Sequence, residues 1–426
     1  MKSACLWYDT SPEPALPLDA LQGDHTAEVV VIGGGITGLS TALHLAEAGI
    51  KVTLLEAGDI PSGGSGLNVG LVNAGLWIPP DDILETLGPE DGERANRVLG
   101  GAPAEVFKLI EKHHINCDAT RTGTLYLAHN DMGAGELERR FKQFQQRGAP
   151  VELLEDEACR QRIGTQRIRR ALLDKRAGTL NPTAYTRGLA RAASGAGARL
   201  HIHSAVTGIE RQGDDWCAFT AKGSVKAPRL VIATNAYTED HWNQVRQHFF
   251  CGHFFQVASR PLSDELAGEI LPERQGAWDT RTVLSSLRRD AEGRLLLGSL
   301  GRGESKPLAF IKCWADRIKD DYFPQLGKLK WEYTWTGQIG FTPDHMLRLF
   351  SPARGILAVS GYNGRGVTTG TVVGKGFAKL IQDDSDEELP LPIRYRKPVS
   401  AIGARSFAYE SGFTLYHAGQ CLRVVA

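Results

Sequence analysis

The sequence predicts an α/β protein in which a Rossmann-like domain is interrupted by an antiparallel sheet. Residues 29–32 are apolar and mostly β-branched, and a glycine-rich turn and an apolar-faced helix follow at once. A second strand, glycine-rich turn and helix lie at residues 356–380. Between these units, residues 248–335 are dominated by aromatic and β-branched runs, which indicate an inserted antiparallel sheet.

The first unit carries the spacing G-x-G-x-x-G, which is typical of dinucleotide-binding turns. Gly33 suits the tight turn, Gly35 lets the backbone approach a pyrophosphate, and Gly38 lets the helix pack close to the strand. The N-terminus of that helix offers unpaired N–H groups and a positive dipole. Glu56 ends the next strand, about 20 residues beyond the turn, where an acid can hydrogen-bond a ribose hydroxyl.

Two segments outside the predicted strands and helices differ in composition. Residues 1–26 contain three prolines and are predicted to form an irregular arm. Residues 61–75 contain five glycines, but the residues between them are too apolar for a flexible linker. This second segment therefore favours a loop whose backbone passes close to a flat ligand.

Polar residues at a second strand end point to the same ligand. Residues 230–233 form a short buried strand that runs into Thr234, Asn235 and Ala236. Ligands of open α/β sheets lie at such carboxyl ends. The later glycine-rich turn, residues 361–366, also opens a helix and is expected to bring a second helix N-terminus to this ligand.

The domain division follows from these segments. We expect the Rossmann-like domain to consist of residues 1–79, 151–243 and 337–426, and the substrate domain to consist of residues 80–150 and 244–336.

The composition restricts the kinds of partner that the protein is expected to bind. The chain has 426 residues, 42% of them hydrophobic, and its 49 basic residues balance its 49 acidic ones. Zero net charge gives no support for nucleic-acid binding. No apolar stretch approaches the ~20 residues of a membrane span, and the N-terminal residues lack the pattern of a signal peptide. A cytoplasmic location is the default expectation.

Cysteine and histidine spacing gives no sign of a metal site. The seven cysteines are scattered, with no C-x-x-C pair, which is typical of reduced structural thiols. The twelve histidines show no metal-binding spacing either. We therefore predict no metal.

With these segments in place, the sequence resembles the FAD-dependent amine and amino-acid oxidases, the group that includes glycine, sarcosine and D-amino-acid oxidases. The resemblance covers nearly the whole chain. It rests on the fingerprint turn, residues 234–236, Thr342-Pro343-Asp344 and the turn at 361–366, which occur in that order.

Longer strings give a finer resemblance within this group. Residues 65–75, 278–286, 361–366 and 417–423 are most similar to bacterial L-pipecolate oxidases, which implies a role in lysine catabolism, and less similar to γ-glutamylputrescine oxidases.

The resemblance implies FAD bound in an extended form along both glycine-rich turns. The implied cofactor-binding residues are Gly33, Gly35, Ile36, Thr37, Gly38, Glu56, Ala57, Ser62, Gly64, Ser65, Asn68, Val69, Gly70, Leu71, Val206, Thr234, Asn235, Ala236, Gly337, Gly361, Asn363, Gly364, Arg365 and Gly366. Some relatives attach flavin through a cysteine or a histidine. Here residues 337–340 lack the cysteine and residues 62–73 lack a histidine, so non-covalent FAD is expected.

The implied reaction is transfer of a hydride to flavin from the carbon beside a neutral amine nitrogen, giving an imine, with oxygen or another acceptor taking the electrons. Such a reaction requires no particular acid or base. The carboxylate of an L-pipecolate-like cyclic amino acid would need a cation, for which Arg365 and Arg281 are the candidates. Tyr362 is a candidate pocket wall. Thr368 stands where the sarcosine oxidases of this group carry a lysine, which leaves the carboxylate ligand open.

Other functions remain open from the sequence. The substrate could be another amine, such as γ-glutamylputrescine, sarcosine or glycine. The fingerprint alone also fits an NAD-dependent dehydrogenase, and some flavin-bearing relatives modify RNA.

Overall fold

The structure is a computed structural model that describes residues 1–239, 242–394 and 397–424. Its strands are β1 (Lys2–Ser3), β2 (Gly23–Thr26), β3 (Val29–Ile32), β4 (Val52–Leu55), β5 (Leu71–Val72), β6 (Thr124–Leu127), β7 (Val151–Glu155), β8 (Arg170–Asp174), β9 (Gly178–Thr179), β10 (Arg199–His201), β11 (Gly208–Gln212), β12 (Asp215–Thr220), β13 (Gly223–Ala227), β14 (Arg229–Ile232), β15 (Phe250–Pro261), β16 (Gly276–Asp279), β17 (Ser285–Arg289), β18 (Arg294–Leu300), β19 (Trp331–Phe341), β20 (Arg348–Phe350) and β21 (Ile356–Ser360).

The helices connect or follow these strands along the chain. They are α1 (Leu6–Asp9), α2 (Ile36–Glu47), α3 (Gly64–Leu67), α4 (Pro80–Leu87), α5 (Pro89–Lys112), α6 (Asp131–Gln146), α7 (Asp156–Ile163), α8 (Pro182–Gly195), α9 (Asn243–Arg246), α10 (Asp264–Glu269), α11 (Leu308–Tyr322), α12 (Gly366–Asp383) and α13 (Ile402–Cys421). None of the helices in the described ranges has the length and apolarity that a membrane span requires.

A six-stranded sheet carries the predicted Rossmann-like unit. Its order is β10-β4-β3-β14-β21-β20, and all neighbours are parallel except β20 and β21. All four residues of β3 are buried, as their β-branched run predicts for a strand covered on both faces. Because the strands are parallel, β3, β4, β14 and β21 all end at the same edge, and this edge forms the base of the site.

A nine-stranded, largely antiparallel sheet forms the second half of the molecule. Its order is β1-β19-β15-β18-β17-β16-β6-β8-β7, and the only parallel neighbours in this sheet are β1 with β19 and β16 with β6. Its apolar core is separate from the core around α2, α8 and α12. The predicted α/β class with an added antiparallel sheet is therefore confirmed.

The strand pairing corrects the predicted domain segments in three places. Strands β7 and β8 pair with each other and, through β6, join the nine-stranded sheet, although residues 151–243 were expected in the Rossmann-like domain. Strand β19 carries the same sheet on to Phe341, past the predicted boundary at 336. Helix α5, predicted for the substrate domain, contributes to the core of α2 and α12. Residue patterns predict strands but do not specify which sheet a short strand joins.

Three local predictions also change. The expected irregular arm at 1–26 contains β1, α1 and β2, because its few non-proline runs pair with partners far along the chain. The sequence of residues 80–112 predicts one helix, with Asp81 and Asp82 near its start, but the structure has two, since Gly88 has a φ of +83° and ends the first of them. Helix α13, absent from the predicted elements, packs near β15 through a hydrogen-bonded pair, His253 and Glu410.

Candidate active site

A cavity of about 710 Å³ lies between the six-stranded and the nine-stranded sheet and is lined by residues of both. One end is formed by the fingerprint turn and the ends of β4 and β14. The other is formed by the face of the nine-stranded sheet, at residues 254–256 and 278–286. A single space therefore reaches from the predicted dinucleotide turn to the predicted substrate domain.

Close packing at the fingerprint turn depends on its glycines. A Cβ atom on Gly38 would lie 2.0 Å from the carbonyl oxygen of Gly33, so α2 could not sit against β3. Gly33 has a φ of +106°, which side chains disfavour. A Cβ atom on Gly35 would lie 2.7 Å from Oγ of Ser65, whose hydroxyl accepts a hydrogen bond from the N–H of Ile36. Gly35, Ile36 and Thr37, at the start of α2, line the cavity.

Glu56 is fixed at the end of β4 by three donors. Its carboxylate accepts hydrogen bonds from the N–H of Gly34 at 2.6 Å, the N–H of Gly58 at 2.9 Å and the hydroxyl of Ser62 at 3.0 Å. The side chain lines the cavity beside the fingerprint turn. This is the geometry that a ribose-binding acid needs, because the carboxylate is held in place before the ligand arrives.

Two asparagines hold the second glycine-rich turn in place. Asn235, just after β14, accepts a hydrogen bond from the N–H of Gly361 at 3.0 Å. Asn363 accepts from the N–H of Thr342 at 2.8 Å and donates to the carbonyl of Gly361 at 2.6 Å. The Asn363 amide therefore shapes the turn itself.

Tyr362 lies where the two glycine-rich units meet. Its hydroxyl is 2.5 Å from the hydroxyl of Thr37 in the first turn of α2. Burial raises the pKa of Tyr362 well above its usual value, so the phenol stays protonated. The side chain lines the cavity, as expected for a pocket wall, but its polar end is used to join the two units.

Arg365 does not line the cavity. Its guanidinium lies between the rings of Trp77 and Trp278, 4.3 Å and 4.9 Å from their centres, and its closest hydrogen-bond acceptor is the carbonyl of Ala74 at 3.5 Å. The two tryptophans form the cavity wall in front of it. Burial, and after it the charge of Arg140, lowers the pKa of Arg365 to about 9.

Arg281 lines the cavity but is already paired. Its guanidinium contacts the carboxylates of Asp279 at 2.6 Å and Asp321 at 2.7 Å, and the hydroxyl of Tyr322 at 2.5 Å. Two carboxylates on one cation leave this cluster with an excess negative charge. Arg281 is therefore poorly suited to bind a substrate carboxylate.

Arg140, which the sequence did not single out, also lines the cavity. It lies on α6, pairs with Glu136 at 2.6 Å and stacks over the ring of Tyr126 at 5.5 Å. The only sequence signal for it is a helix rich in charge, which does not indicate which charged residue faces inward. Gln256 lines the same region, and its side-chain oxygen is buried without a partner among the described residues.

Most of the implied cofactor-binding residues border the cavity. Six do not line it: Gly38, Gly70, Ala236, Gly337, Gly361 and Arg365. Neighbouring groups separate several of these from the cavity. A Cβ on Gly337 would meet the ring of Phe254 at 2.5 Å, and one on Gly361 would meet Thr342 at 2.4 Å. These glycines allow close packing behind the wall.

Comparison with known proteins gives one consistent family. The model of the FAD dependent oxidoreductase family matches residues 28–380. The chain is 32% identical over 421 residues to γ-glutamylputrescine oxidoreductase of Escherichia coli (strain K12), covering 94% of this chain and 97% of that one.

Solved structures share the fold at low sequence identity. Glycine oxidase from Geobacillus kaustophilus superposes with a TM-score of 0.70 at 20% identity, covering 84% of this chain and 95% of that one. L-proline dehydrogenase from P. horikoshii superposes with a TM-score of 0.71 at 22% identity, covering 86% and 97%.

Proposed function

Because the chain belongs to the FAD-dependent oxidoreductase family, we propose that it oxidises the terminal amine of an extended substrate of the γ-glutamylputrescine type. The coarser statement holds independently of the substrate: the chain is an FAD-dependent oxidoreductase of amines or amino acids. The NAD-dependent alternative is thereby set aside. The observation that carries the finer proposal is the full-length similarity to γ-glutamylputrescine oxidoreductase.

The cofactor end of the cavity suits FAD. Gly35, Ile36 and Thr37, at the N-terminus of α2, line the cavity, and the positive end of a helix suits a pyrophosphate. Glu56 is held ready for the adenosine ribose. When bound, FAD accepts the two electrons of the carbon–nitrogen oxidation.

The substrate end offers aromatic walls and one partly neutralised cation. Trp77, Tyr126 and Trp278 give apolar surface suited to a methylene chain, and they exclude water from the reacting carbon. Arg140 lies on the same wall and suits a carboxylate at the far end of the substrate. The neutral amine becomes an imine, which water then hydrolyses to an aldehyde and ammonia.

The linear amine replaces the cyclic amino acid as the main proposal. The expectation of L-pipecolate rests on short strings and on Arg365 as a carboxylate ligand, whereas Arg365 lies behind Trp77 and Trp278. Full-length similarity supports the alternative. L-pipecolate remains the contrasting substrate in the test.

The test is a substrate panel with purified holoenzyme under anaerobic conditions. γ-Glutamylputrescine, putrescine, L-pipecolate, sarcosine and glycine are mixed separately with the protein, and loss of the oxidised flavin absorbance is followed. We expect the fastest flavin reduction with γ-glutamylputrescine. Faster reduction by L-pipecolate would overturn the proposal. Hydrogen peroxide release in air then tests oxygen as acceptor.

We also propose that FAD is held without a covalent bond. In the described residues, the cavity lining includes one histidine, His345, and no cysteine. Acid precipitation of the holoenzyme should release all the flavin into the supernatant. Flavin that stays with the pellet would contradict this.

A further inference from the structure

Residues 65–70, here called the flavin loop, form part of the cavity wall and are held from behind along their whole length. Each carbonyl oxygen of this loop accepts a hydrogen bond. The donors, in loop order, are Asn68 Nδ2 to Ser65 at 2.9 Å, Thr183 Oγ1 to Gly66 at 3.1 Å, Trp335 Nε1 to Leu67 at 2.9 Å, Trp7 Nε1 to Asn68 at 2.9 Å, Arg288 Nη1 to Val69 at 2.8 Å, and Leu180 N to Gly70 at 2.9 Å.

The donors from outside the loop lie on its far side. Ser65, Asn68 and Val69 line the cavity, whereas Trp7 and Arg288 do not. The outer donors come from α1, α8, β17, β19 and the segment before α8, so both halves of the molecule contribute. The peptide planes of the loop cannot rotate without breaking these bonds.

Arg288 is the one charged residue among these donors. It is 1% exposed, and its Nη1 donates to three carbonyls: Val69 at 2.8 Å, Leu180 at 2.9 Å and Gly70 at 3.1 Å. Its guanidinium also lies 5.0 Å from the ring centre of Trp7. A Cβ on Gly70 would be 2.3 Å from this nitrogen, so the glycine is needed for the contact. The positive charge of Arg288 is therefore stabilised by backbone carbonyl oxygens.

We propose that Arg288 is a positioning residue for the flavin, which fixes the flavin loop and places a buried positive charge behind it. A buried charge acts through a weakly screening medium. It therefore favours the reduced cofactor, which carries more negative charge, over the oxidised one. This role does not depend on which amine is oxidised.

Arg289, the next residue of β17, provides a matched control. It is also buried, and it donates to the carbonyls of Leu271 at 3.1 Å and Pro272 at 3.3 Å, which are remote from the flavin loop. Arg288→Met and Arg289→Met therefore each remove a buried cation and the hydrogen bonds that it donates to backbone carbonyls. Only the first touches the loop.

The experiment measures the flavin midpoint potential and the FAD dissociation constant of the intact holoenzyme for both variants. We expect Arg288→Met to weaken the preference for reduced over oxidised flavin about tenfold, which lowers the potential by about 30 mV for this two-electron couple. FAD should also bind more weakly. Arg289→Met should change neither value. A potential that falls equally in both variants, or in neither, would overturn the proposal.

Two milder variants keep the proposal testable if Arg288→Met fails to fold. Arg288→Lys retains the charge, but its side chain is shorter and lacks the planar guanidinium that lies over the ring of Trp7. FAD affinity should therefore fall while the potential stays close to that of the wild type. Trp7→Phe removes only the donor to Asn68 and should raise the FAD dissociation constant several-fold. If both bind FAD as tightly as the wild type, the positioning role is wrong.

Discussion

The two ends of the cavity differ in whether backbone or side chains form their walls. The cofactor end consists largely of backbone: glycines that allow close approach, the N-terminus of α2 and a carboxylate held by two backbone N–H groups. The substrate end consists of side chains from α6, β15, β16 and the loops around them. Backbone geometry at the cofactor end tolerates few residue types, whereas a side-chain wall can be rebuilt by substitution. The first end should therefore respond to mutation by losing the cofactor, and the second by changing substrate.

The largest expected effect lies at the cofactor end. Gly35→Val should abolish FAD binding, because its Cβ would meet Ser65 Oγ at 2.7 Å and its methyl groups would occupy the pyrophosphate space. Flavin content of the purified protein is the measurement. Gly101→Ala, on α5 with no heavy atom within 4 Å of the added Cβ, is the control and should retain full flavin. Normal flavin content in Gly35→Val would show that the turn does not hold the cofactor.

At the substrate end, two arginines should separate by their effects on different substrates. Arg140→Met should lower kcat/KM for γ-glutamylputrescine up to about 100-fold, the scale of a lost charged hydrogen bond, and leave putrescine, which has no carboxylate, nearly unchanged. Arg365→Met should affect both substrates alike, because Arg365 supports the two tryptophans from behind. Substrate-dependent loss in Arg365→Met would restore it as the carboxylate ligand.

A smaller effect is expected for Glu56→Ala. Loss of the carboxylate leaves the N–H groups of Gly34 and Gly58 without this partner and removes the expected ribose contact, which should weaken FAD binding by about 1–3 kcal/mol. Isothermal titration calorimetry of the apoprotein with FAD measures this loss of affinity. Glu28→Ala, which removes a carboxylate bonded to the N–H of Lys51 at the opposite end of the strands, is the control. Equal affinities for the two variants would remove the assignment.

The smallest expected effect is a change with pH in the free energy of unfolding, caused by His248 near the edge of the six-stranded sheet. Burial, and then the charge of Arg348, lower the pKa of His248 below 6.5, so the unfolded chain binds a proton more readily than the folded one. The free energy of unfolding should therefore decrease as the pH falls through about 6.5. Urea unfolding at several pH values measures this. In His248→Gln the decrease should be smaller, and an identical pH dependence would exclude His248 as a cause.

Sequence patterns predicted the cofactor end far better than the substrate end, for a physical reason. Residues 29–38 and Glu56 form one continuous unit, whose turn and strand spacing are fixed by backbone sterics. Tyr126 and Trp278 meet only because β6 and β16 pair across the sheet, and Arg140 joins them by lying over the ring of Tyr126. No local pattern records such a meeting.

The same limit explains the misplaced segments. Strands β7 and β8 are five residues each, and only their long-range pairing assigns them to the nine-stranded sheet. Arg365 was placed beside the expected ring because it lies in a glycine-rich turn, but its direction is set by Trp77 and Trp278, which come from remote parts of the chain.

The pairing of β1 with β19 has a consequence for the order of assembly during synthesis. Lys2 and Ser3 pair with Tyr333 and Thr334, so these residues leave the ribosome long before their partners exist. Trp335, which donates to the carbonyl of Leu67 in the flavin loop, lies in β19, so this anchor exists only after β19 has been made. Ordering of the loop by this anchor is therefore a late event, and nascent chains shorter than about 340 residues should not retain FAD. Ribosome-stalled chains of increasing length, assayed for bound flavin, would test this.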